Sequence, residues 1–386
     1  MKDNWEKVKL AEVADVNRNT FQTKDFNEIL YLDTSSVTKG VFGDFIKLSR
    51  NDVIPSRAKR AVKNNTIVYS TVRPNLQHFG ILKNPQKNTV ISTGFATIDA
   101  KDNTNPDFLY YTLTQDKYTN YLHTVAANNV SAYPSINPSD LEKLELELPD
   151  LPTQRRIAAV LSALDAKIAL NRQINDNLEA MAKTVYEQLT FKNYELKEGK
   201  WEQKKLGDVA SVSRGKTITK KQTVEGKIPV VAGGMDLAYY HNVANQEAGA
   251  ITCSGSGANA GFLNFWGVPI WASDCSVIRA KELCVTQEYL WLFLSGKQAE
   301  IFRMQKGSAQ PHVYPEDLEK ISVPIPDPAT LQTFQSQVSP LFAQIIANRQ
   351  QSQELRAIRD FLFQWENQEF IYTLGIPKIL CNFAYY

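Results

Sequence analysis

Cysteine is scarce in this chain of 386 residues: there are four, at 253, 275, 284 and 381, with no CxxC pair and no histidine at ligand spacing. That excludes a zinc ribbon or a disulfide framework and fits a reducing cytoplasm. The four histidines (His78, His123, His241, His312) form no HExxH, so no metal site is expected. No run approaches the roughly 18 apolar residues of a membrane span, and the opening MKDNWEKVKL lacks the apolar core of a signal peptide. An excess of one charge is also missing. A net +2 is unlike a histone-style, sequence-blind binder of nucleic acid, but it permits local basic patches.

Reaction-centre motifs are equally thin. Gly255-Ser-Gly257-Ala-Asn-Ala260 resembles a dinucleotide fingerprint, but GFLNFWGVPIW follows and reads as strand and turn, so no helix N-terminus can hold a pyrophosphate. Gly215-Lys216-Thr217 resembles the end of a P-loop, but the upstream glycine position is Ala210. There is no Gly-x-Ser-x-Gly elbow. Asn-Pro occurs at 84, 105 and 137, never within the Asn-Pro-Pro-aromatic stretch of an adenine methyltransferase. These absences favour a binding protein over an enzyme.

What is present is a duplication. WEKVKLAEVADV (Trp5–Val16) and WEQKKLGDVASV (Trp201–Val212) match at seven of twelve positions with an offset of 196. From Ser131 to Thr153, 11 of 23 positions equal their partners 177 residues later. The second middle is therefore 19 residues shorter. The exits LELELPDLP and ISVPIPDPA alternate and then stop at proline, as short strands do. Ends that match around middles that diverge describe one scaffold holding two versions of something. Units of well over 100 residues are duplicated domains, not solenoid repeats.

A long helix is expected after each exit. In the first, Ile157, Leu161, Leu164, Ile168, Asn171, Asn175, Leu178, Ala182, Val185 and Leu189 recur in steps of three and four. In the second, Phe334, Val338, Leu341, Ile345, Asn348, Ser352, Leu355 and Leu362 do the same. So narrow a stripe reads as a coiled-coil seam, with Asn171 and Asn348 as polar positions that specify register. The two helices are expected to pair antiparallel. The fold class is α+β: two tandem domains of small mixed sheets with short helices, related by a pseudo-twofold and separated by the helix pair. The expected boundaries are 1–150 and 197–327 for the domains and 151–196 and 328–365 for the helices. The segment 366–386 is an apolar tail without a counterpart after the first helix.

Two stretches suggest what is bound. Arg50–Lys63 carries Arg57, Lys59 and Arg60, and Arg214–Lys227 carries Lys216, Lys220 and Lys221. Each is locally +4, once per unit, as an anionic backbone requires. Each middle also has a strand running into a polar loop. The first loop offers Arg73, Asn75, Gln77 and His78, side chains able to read base edges. The second offers Ser254, Ser256 and Asn259. Within the repeated stretch, Tyr133 in one unit answers Gln310 and His312 in the other, between fixed alanine and proline.

These features together resemble the specificity subunit of type I restriction–modification systems. The resemblance spans residues 1 to about 365. It is carried by Gln154–Ile174 (QRRIAAVLSALDAKIALNRQI), Gly307–Pro326 (GSAQPHVYPEDLEKISVPIP), STVRPN at Ser70–Asn75 and ISTGF at Ile91–Phe95. It implies two target-recognition domains, each reading half of an interrupted site in double-stranded DNA, with the helices setting the gap. It further implies a non-catalytic chain that binds no cofactor itself. Two methyltransferase subunits would bring S-adenosylmethionine, and restriction subunits would use ATP, cleave and translocate. A two-headed protein–protein adaptor is the alternative. It predicts binding that is indifferent to DNA sequence and nearly independent of salt.

Overall fold

The computed structural model describes residues 5–128, 134–196, 201–235, 237–281, 285–307 and 310–363, and side chains throughout these except 191–196 and 363. Tyr133 and the apolar tail 366–386 lie outside the described residues. The chain divides into two compact units, one of Met1–Ala166 with Arg356–Tyr386 and one of Lys167–Leu355. The long helices thus run from one unit into the other rather than forming a body of their own.

Each unit is closed by its own two ends. The opening strand Glu6–Lys9 pairs antiparallel with the exit strand Glu145–Leu148, and Glu202–Lys205 pairs identically with Ser322–Ile325. The next bond also recurs: Leu10 N donates to Leu144 O, and Leu206 N to Ile321 O. A four-residue helical turn follows, Leu10–Val13 or Leu206–Val209. One lysine caps the carbonyls of each turn, Lys101 on Ala11 O and Lys281 on Gly207 O. The ends resemble each other in sequence because they are each other's partners, and a change in one strand must suit the strand beside it.

Between these ends lie two principal sheets per unit, and the first unit adds a two-stranded ribbon, Val37–Thr38 with Val41–Phe42. In the first unit, Ala14–Val16, Phe95–Ala100, Ile67–Ser70 and Phe79–Ile81 form an antiparallel sheet, in that order. In the second, Ala210–Arg214, Cys275–Ala280, Ala250–Ser254 and Leu263–Trp266 repeat it. The other principal sheets share a three-strand motif with one parallel pair. It is Ile46–Ser49, Glu28–Leu32, Thr89–Ser92 in one unit and Leu237–His241, Ile228–Val231, Trp271–Ala272 in the other. The first unit adds a fourth strand, Ala58–Ala61, at the Thr89–Ser92 edge. Much of the 19-residue difference in length falls in the connection that carries this strand.

The first long helix is Leu151–Leu196 (46 residues) and the second Pro328–Phe363 (36 residues). At 1.5 Å per residue they are about 69 and 54 Å long. In the first unit, Ile157, Ala158 and Leu161 pack into the core with Leu109, Tyr111 and Leu146, and Leu362 lies against it. In the second, Ala182 and Tyr186 from one helix meet Phe334, Val338 and Phe342 from the other, around Tyr289 and Leu290. The apolar seam therefore merges with the domain cores at both ends. Leu164, Val338, Ile345 and Leu355 are buried, whereas Ile168, Leu178 and Leu341 are only half-buried. Phe342 and Tyr186 take burial that the strict heptad assigned to neighbours.

The middle of the seam is polar, and it sets antiparallel register. Asn171 Nδ2 donates to Gln351 Oε1 (2.8 Å) and Ser352 Oγ (3.2 Å), and Asn348 Nδ2 donates to Asn175 Oδ1 (2.8 Å). Shifting either helix would leave these buried amides without partners, at about 1–3 kcal/mol each. In the first unit, Asp165 accepts from both Tyr111 Oη (2.7 Å) and Arg359 Nη1 (2.6 Å), which anchors the end of the second helix.

Buried phenols are a feature of both cores. Burial pushes Tyr69, Tyr118 and Tyr186 up to about 12. Burial, with Asp165 beside them, raises Tyr110 and Tyr111 further, and burial next to Tyr186 raises Tyr289. An unfolded tyrosine loses its proton near pH 10. Between that pH and the folded value the folded chain binds more protons, so stability is complete below about pH 10 and lost as pH rises above it. The unfolding free energy from urea titrations should hold steady up to about pH 9 and then fall, by up to about 1.4 kcal/mol per pH unit for each such tyrosine. Tyr69→Phe should flatten that fall by one tyrosine's share, and an unchanged slope would remove Tyr69 from the account.

Candidate nucleic-acid interface

The repeated stretch and the polar loop, far apart in sequence, meet in each unit. The hairpins 70–79 and 254–263 correspond without a gap at an offset of 184. Ser70 N donates to His78 O and Ser254 N to Phe262 O. The hairpin then docks on the repeated stretch through two backbone bonds. Arg73 N donates to Pro134 O (2.9 Å) and Ile136 N to Thr71 O (2.9 Å); Gly257 N donates to Pro311 O (3.0 Å) and Val313 N to Gly255 O (3.2 Å). The bridges Val72–Ser135 and Ser256–His312 are the same bridge in two copies. The remaining repeated residues have visible work. Pro138 and Pro315 start short helices, and Leu141 and Leu318 are fully buried beneath them.

Backbone geometry marks two positions in each hairpin. Arg73 (φ +48°) and Gln77 (φ +55°) are left-handed, and their counterparts Gly257 (+80°) and Gly261 (+90°) are too. The second unit uses the residue that this conformation favours. The first places long polar side chains there at a cost of about 1–2 kcal/mol each. Strain kept where glycine would relieve it points to side chains needed for something other than folding. Arg73 is exposed, Asn75 is exposed at the loop tip, and Gln77 is half-buried with Nε2 near Asp116 Oδ1 (3.5 Å). His78 is held inward. Its Nδ1 donates to Val37 O (2.6 Å).

In the second unit, Ser256 Oγ donates to Asp274, and Asn259 is half-buried in the turn. Ser254 does not belong with the exposed loop residues. It is the last residue of its strand, 3% exposed, and its hydroxyl is buried without a partner among the described residues. Gln310 is exposed, and His312 Nδ1 lies 2.8 Å from Gln310 O. His312 also stacks on Tyr314 (centroids 6.0 Å apart, 14° between planes). Arg214 and Lys306 lie over the same Tyr314 ring at 5.7 and 6.0 Å. Arg214 opens the second basic stretch. Tyr314 stands against Asn137 in the repeat, the same kind of exchange as at 133 and 310, and that is the signal in the sequence that points to it.

The two basic stretches are not equivalent in the repeat, which removes recurrence as an argument for them. They nevertheless reach the same sheet edge. In the first unit, Ala58–Ala61 pairs with Thr89–Ser92 and is bridged on its far side to Thr20. In the second, Lys216 N donates directly to Ala272 O on the corresponding strand. A Cβ on Gly215 would run into Ser273 O and Ala272 O, so glycine permits that approach. Lys216 lies over the Trp271 ring (5.9 Å), and Lys220 and Lys221 are exposed in a single helical turn. Arg57 and Lys59 are exposed, and Arg57 O accepts from Thr93 N, next to Gly94, whose carbonyl holds Thr71 of the hairpin. Arg60 separates from them. It is half-buried opposite Ile91, beyond a β-bulge that breaks the alternation from Ala58, with Nε lacking a partner among the described residues. Burial lowers its pKa. Lys59 is exposed where Arg60 is half-buried.

Among the described residues no group of three or more histidine, cysteine or acidic side chains is placed to hold a metal ion, and no helix is long and apolar enough to cross a membrane. The glycine-rich run 255–260 connects the strands Ala250–Ser254 and Leu263–Trp266, so a strand follows it, as expected.

The family model for the type I restriction modification DNA specificity domain matches residues 2–180 and 198–357. The chain belongs to this family. The two matched segments each take in one repeat together with its closing ribbon. Among curated relatives, the HindI specificity subunit of Haemophilus influenzae is 31% identical over 187 residues, 47% of this chain and 40% of that protein. The chain thus spans well under half of that relative. The MjaIX specificity subunit of Methanocaldococcus jannaschii is 25% identical over 403 aligned positions, 93% of this chain and 91% of that protein. The type I restriction–modification S subunit from M. genitalium shares the fold, with a TM-score of 0.56 at 18% identity over 94% of this chain and 95% of the other.

The left-handed positions give a direct test of this specificity domain's loop. Arg73→Gly and Gln77→Gly should each stabilise the fold by up to about 1 kcal/mol, because glycine relieves the strain and gives back part of it as unfolded-state entropy. Urea unfolding reads the change. Destabilisation by more than about 1 kcal/mol would show that these side chains hold the hairpin together.

Proposed function

We propose that each unit reads one half of an interrupted, two-part site in double-stranded DNA, and that the long helices set the gap between the halves. The observation that carries this is the pair of hairpins. They have the same length and the same two docking bonds and share Asn75 and Asn259, yet they present Arg73 and Gln77 in one unit where the other has Gly257 and Gly261 beside Ser256, with Gln310 and His312 on the stretch docked against it. A constant backbone frame with exchanged polar side chains suits two readers of different sequences. The exposed cations Arg57, Lys59, Lys216, Lys220 and Lys221 at the sheet edges suit phosphate contacts, which position a reader without specifying bases.

On this reading the chain itself is not a catalyst and binds no cofactor. It recruits two methyltransferase subunits, which carry S-adenosylmethionine, and the ATP-using restriction subunits, in the cytoplasm. A matched family of DNA-specificity domains favours this over a protein–protein adaptor. Mapping methylated adenines across the genome, with and without this chain beside its methyltransferase, tests it. One interrupted motif should disappear with the chain. Replacing residues 17–130 with the same middle from a relative should change one half of that motif only. Simultaneous change of both halves would sink the modular reading.

Side chains that read and side chains that position should separate in binding assays. Arg73→Gly should cost about 1–3 kcal/mol of discrimination at one base pair. Lys59→Ala should weaken all sequences alike and reduce the salt slope by about one unit. Identical base preferences for Arg73→Gly and the parent would leave Arg73 without a reading role.

A further inference from the structure

The two units have an arginine at the same place, and only one of them is available. Arg18 and Arg214 correspond at the offset of 196, each just beyond the part of the strand Ala14–Val16 or Ala210–Arg214 that pairs in both units. Arg18 Nη1 is bound to Asp15 Oδ2 at 2.6 Å, and that contact, with Arg18 beside it, lowers the Asp15 pKa. The position corresponding to Asp15 is Ser211, which carries no charge. Without that acid, Arg214 lies over the Tyr314 ring, and no ion pair to it is found among the described residues. The neighbouring Lys306 is neutralised by Asp317 at 2.5 Å, so Arg214 is the unneutralised cation of the Tyr314 cluster.

Tyr314 is not an arbitrary surface ring. It follows His312 and Val313, which dock on the hairpin through the bridge to Ser256 and the bond to Gly255 O. His312 stacks on one side of the phenol. A guanidinium resting over an aromatic face is restrained by cation–π attraction, yet the donors along its edge stay unused. The hairpin beside it has Gly257 where the first unit has Arg73. The first unit thus has a hairpin arginine and a neutralised strand arginine, and the second has a hairpin glycine and an unneutralised strand arginine.

We infer that Arg214, restrained over Tyr314, is a specificity-determining residue of the second unit: it donates two hydrogen bonds to a base edge with adjacent acceptors, as guanine presents in the major groove. It takes the part that Arg73 plays in the first unit. The inference rests on the DNA-reading proposal above and assigns one contact within it.

The test maps the methylated motif in cells carrying the full chain with its methyltransferase subunit, comparing the parent, Arg214→Ala, Arg214→Lys and Arg18→Ala. Arg214→Ala should relax one position of one half-site by roughly 10- to 100-fold in discrimination, with the other half and the gap unchanged. Arg214→Lys should relax the same position, because an ammonium lacks the planar fork. Arg18→Ala should reproduce the parental motif. A parental motif from Arg214→Ala overturns the assignment, as does a relaxation in Arg18→Ala equal to that in Arg214→Ala. If Arg214→Ala yields no methylation at all, Arg214→Lys decides: a relaxed motif supports base reading, and a full parental motif reduces Arg214 to a charge. A parent that methylates no motif defeats the DNA-reading proposal itself, and this assignment with it.

Discussion

The hydrogen bonds between the two ends of each unit are the constraint on which the rest depends. Glu6–Lys9 against Glu145–Leu148, and Glu202–Lys205 against Ser322–Ile325, bring the start and finish of more than 120 residues together. Once the ribbon is closed, the exit segment has to run beside the first sheet, and its preceding loop lands against the hairpin. The docking bonds from Arg73 and Ile136, or from Gly257 and Val313, are therefore consequences of closure. Closing so large a loop is entropically costly. Each ribbon offsets that with ladder bonds and with the apolar side chains Leu146, Leu148 and Val323 buried beneath it.

The division of labour between backbone and side chain follows. The frame is held by carbonyls and amides, which every residue supplies. Side chains on the hairpin can then differ between units without changing the frame, as Arg73 against Gly257 and Gln77 against Gly261 do. Where the backbone does impose a preference, at the two left-handed positions, the second unit complies with Gly257 and Gly261 and the first does not. Arg73 and Gln77 are thus maintained against local preference, which is the pattern expected of residues retained for binding.

Much of this was legible in the sequence. The duplication, the offsets of 196 and 177, the strands ending at proline and the two long helices all follow from repeat matching and periodicity, and all appear in the structure. The helix asparagines were recognisable as a register device because the same residue recurs at one heptad position. Other features were not legible. Burial splits Lys59 from Arg60, but the strand Ala58–Ala61 has only four residues, a bulge in its pairing and no apolar alternation to announce it. Ser254 reads as loop because glycine follows it, yet the ladder extends to it and buries its hydroxyl. The merging of seam and cores could not be read from a heptad alone, since periodicity shows which face is apolar and not what that face touches. Tyr314 and Arg214 are 100 residues apart, and their meeting is a product of the closed ribbon.

The non-equivalence of the two basic stretches carries the last step. If charge at the sheet edge served only solubility, its position would be free to drift around the whole surface of each unit. Instead, one unit inserts a strand to bring Lys59 beside Thr89–Ser92, and the other uses Gly215 to bring Lys216 against Trp271–Ala272. Two unrelated local solutions arrive at one edge, next to the hairpin in both cases. Phosphates flank the base edges of a duplex at a fixed distance, so a reader needs its cations at a fixed place beside the reading loop. That requirement acts on location and not on sequence position. On the DNA-reading proposal it accounts for patches that agree in space while failing to align in the chain.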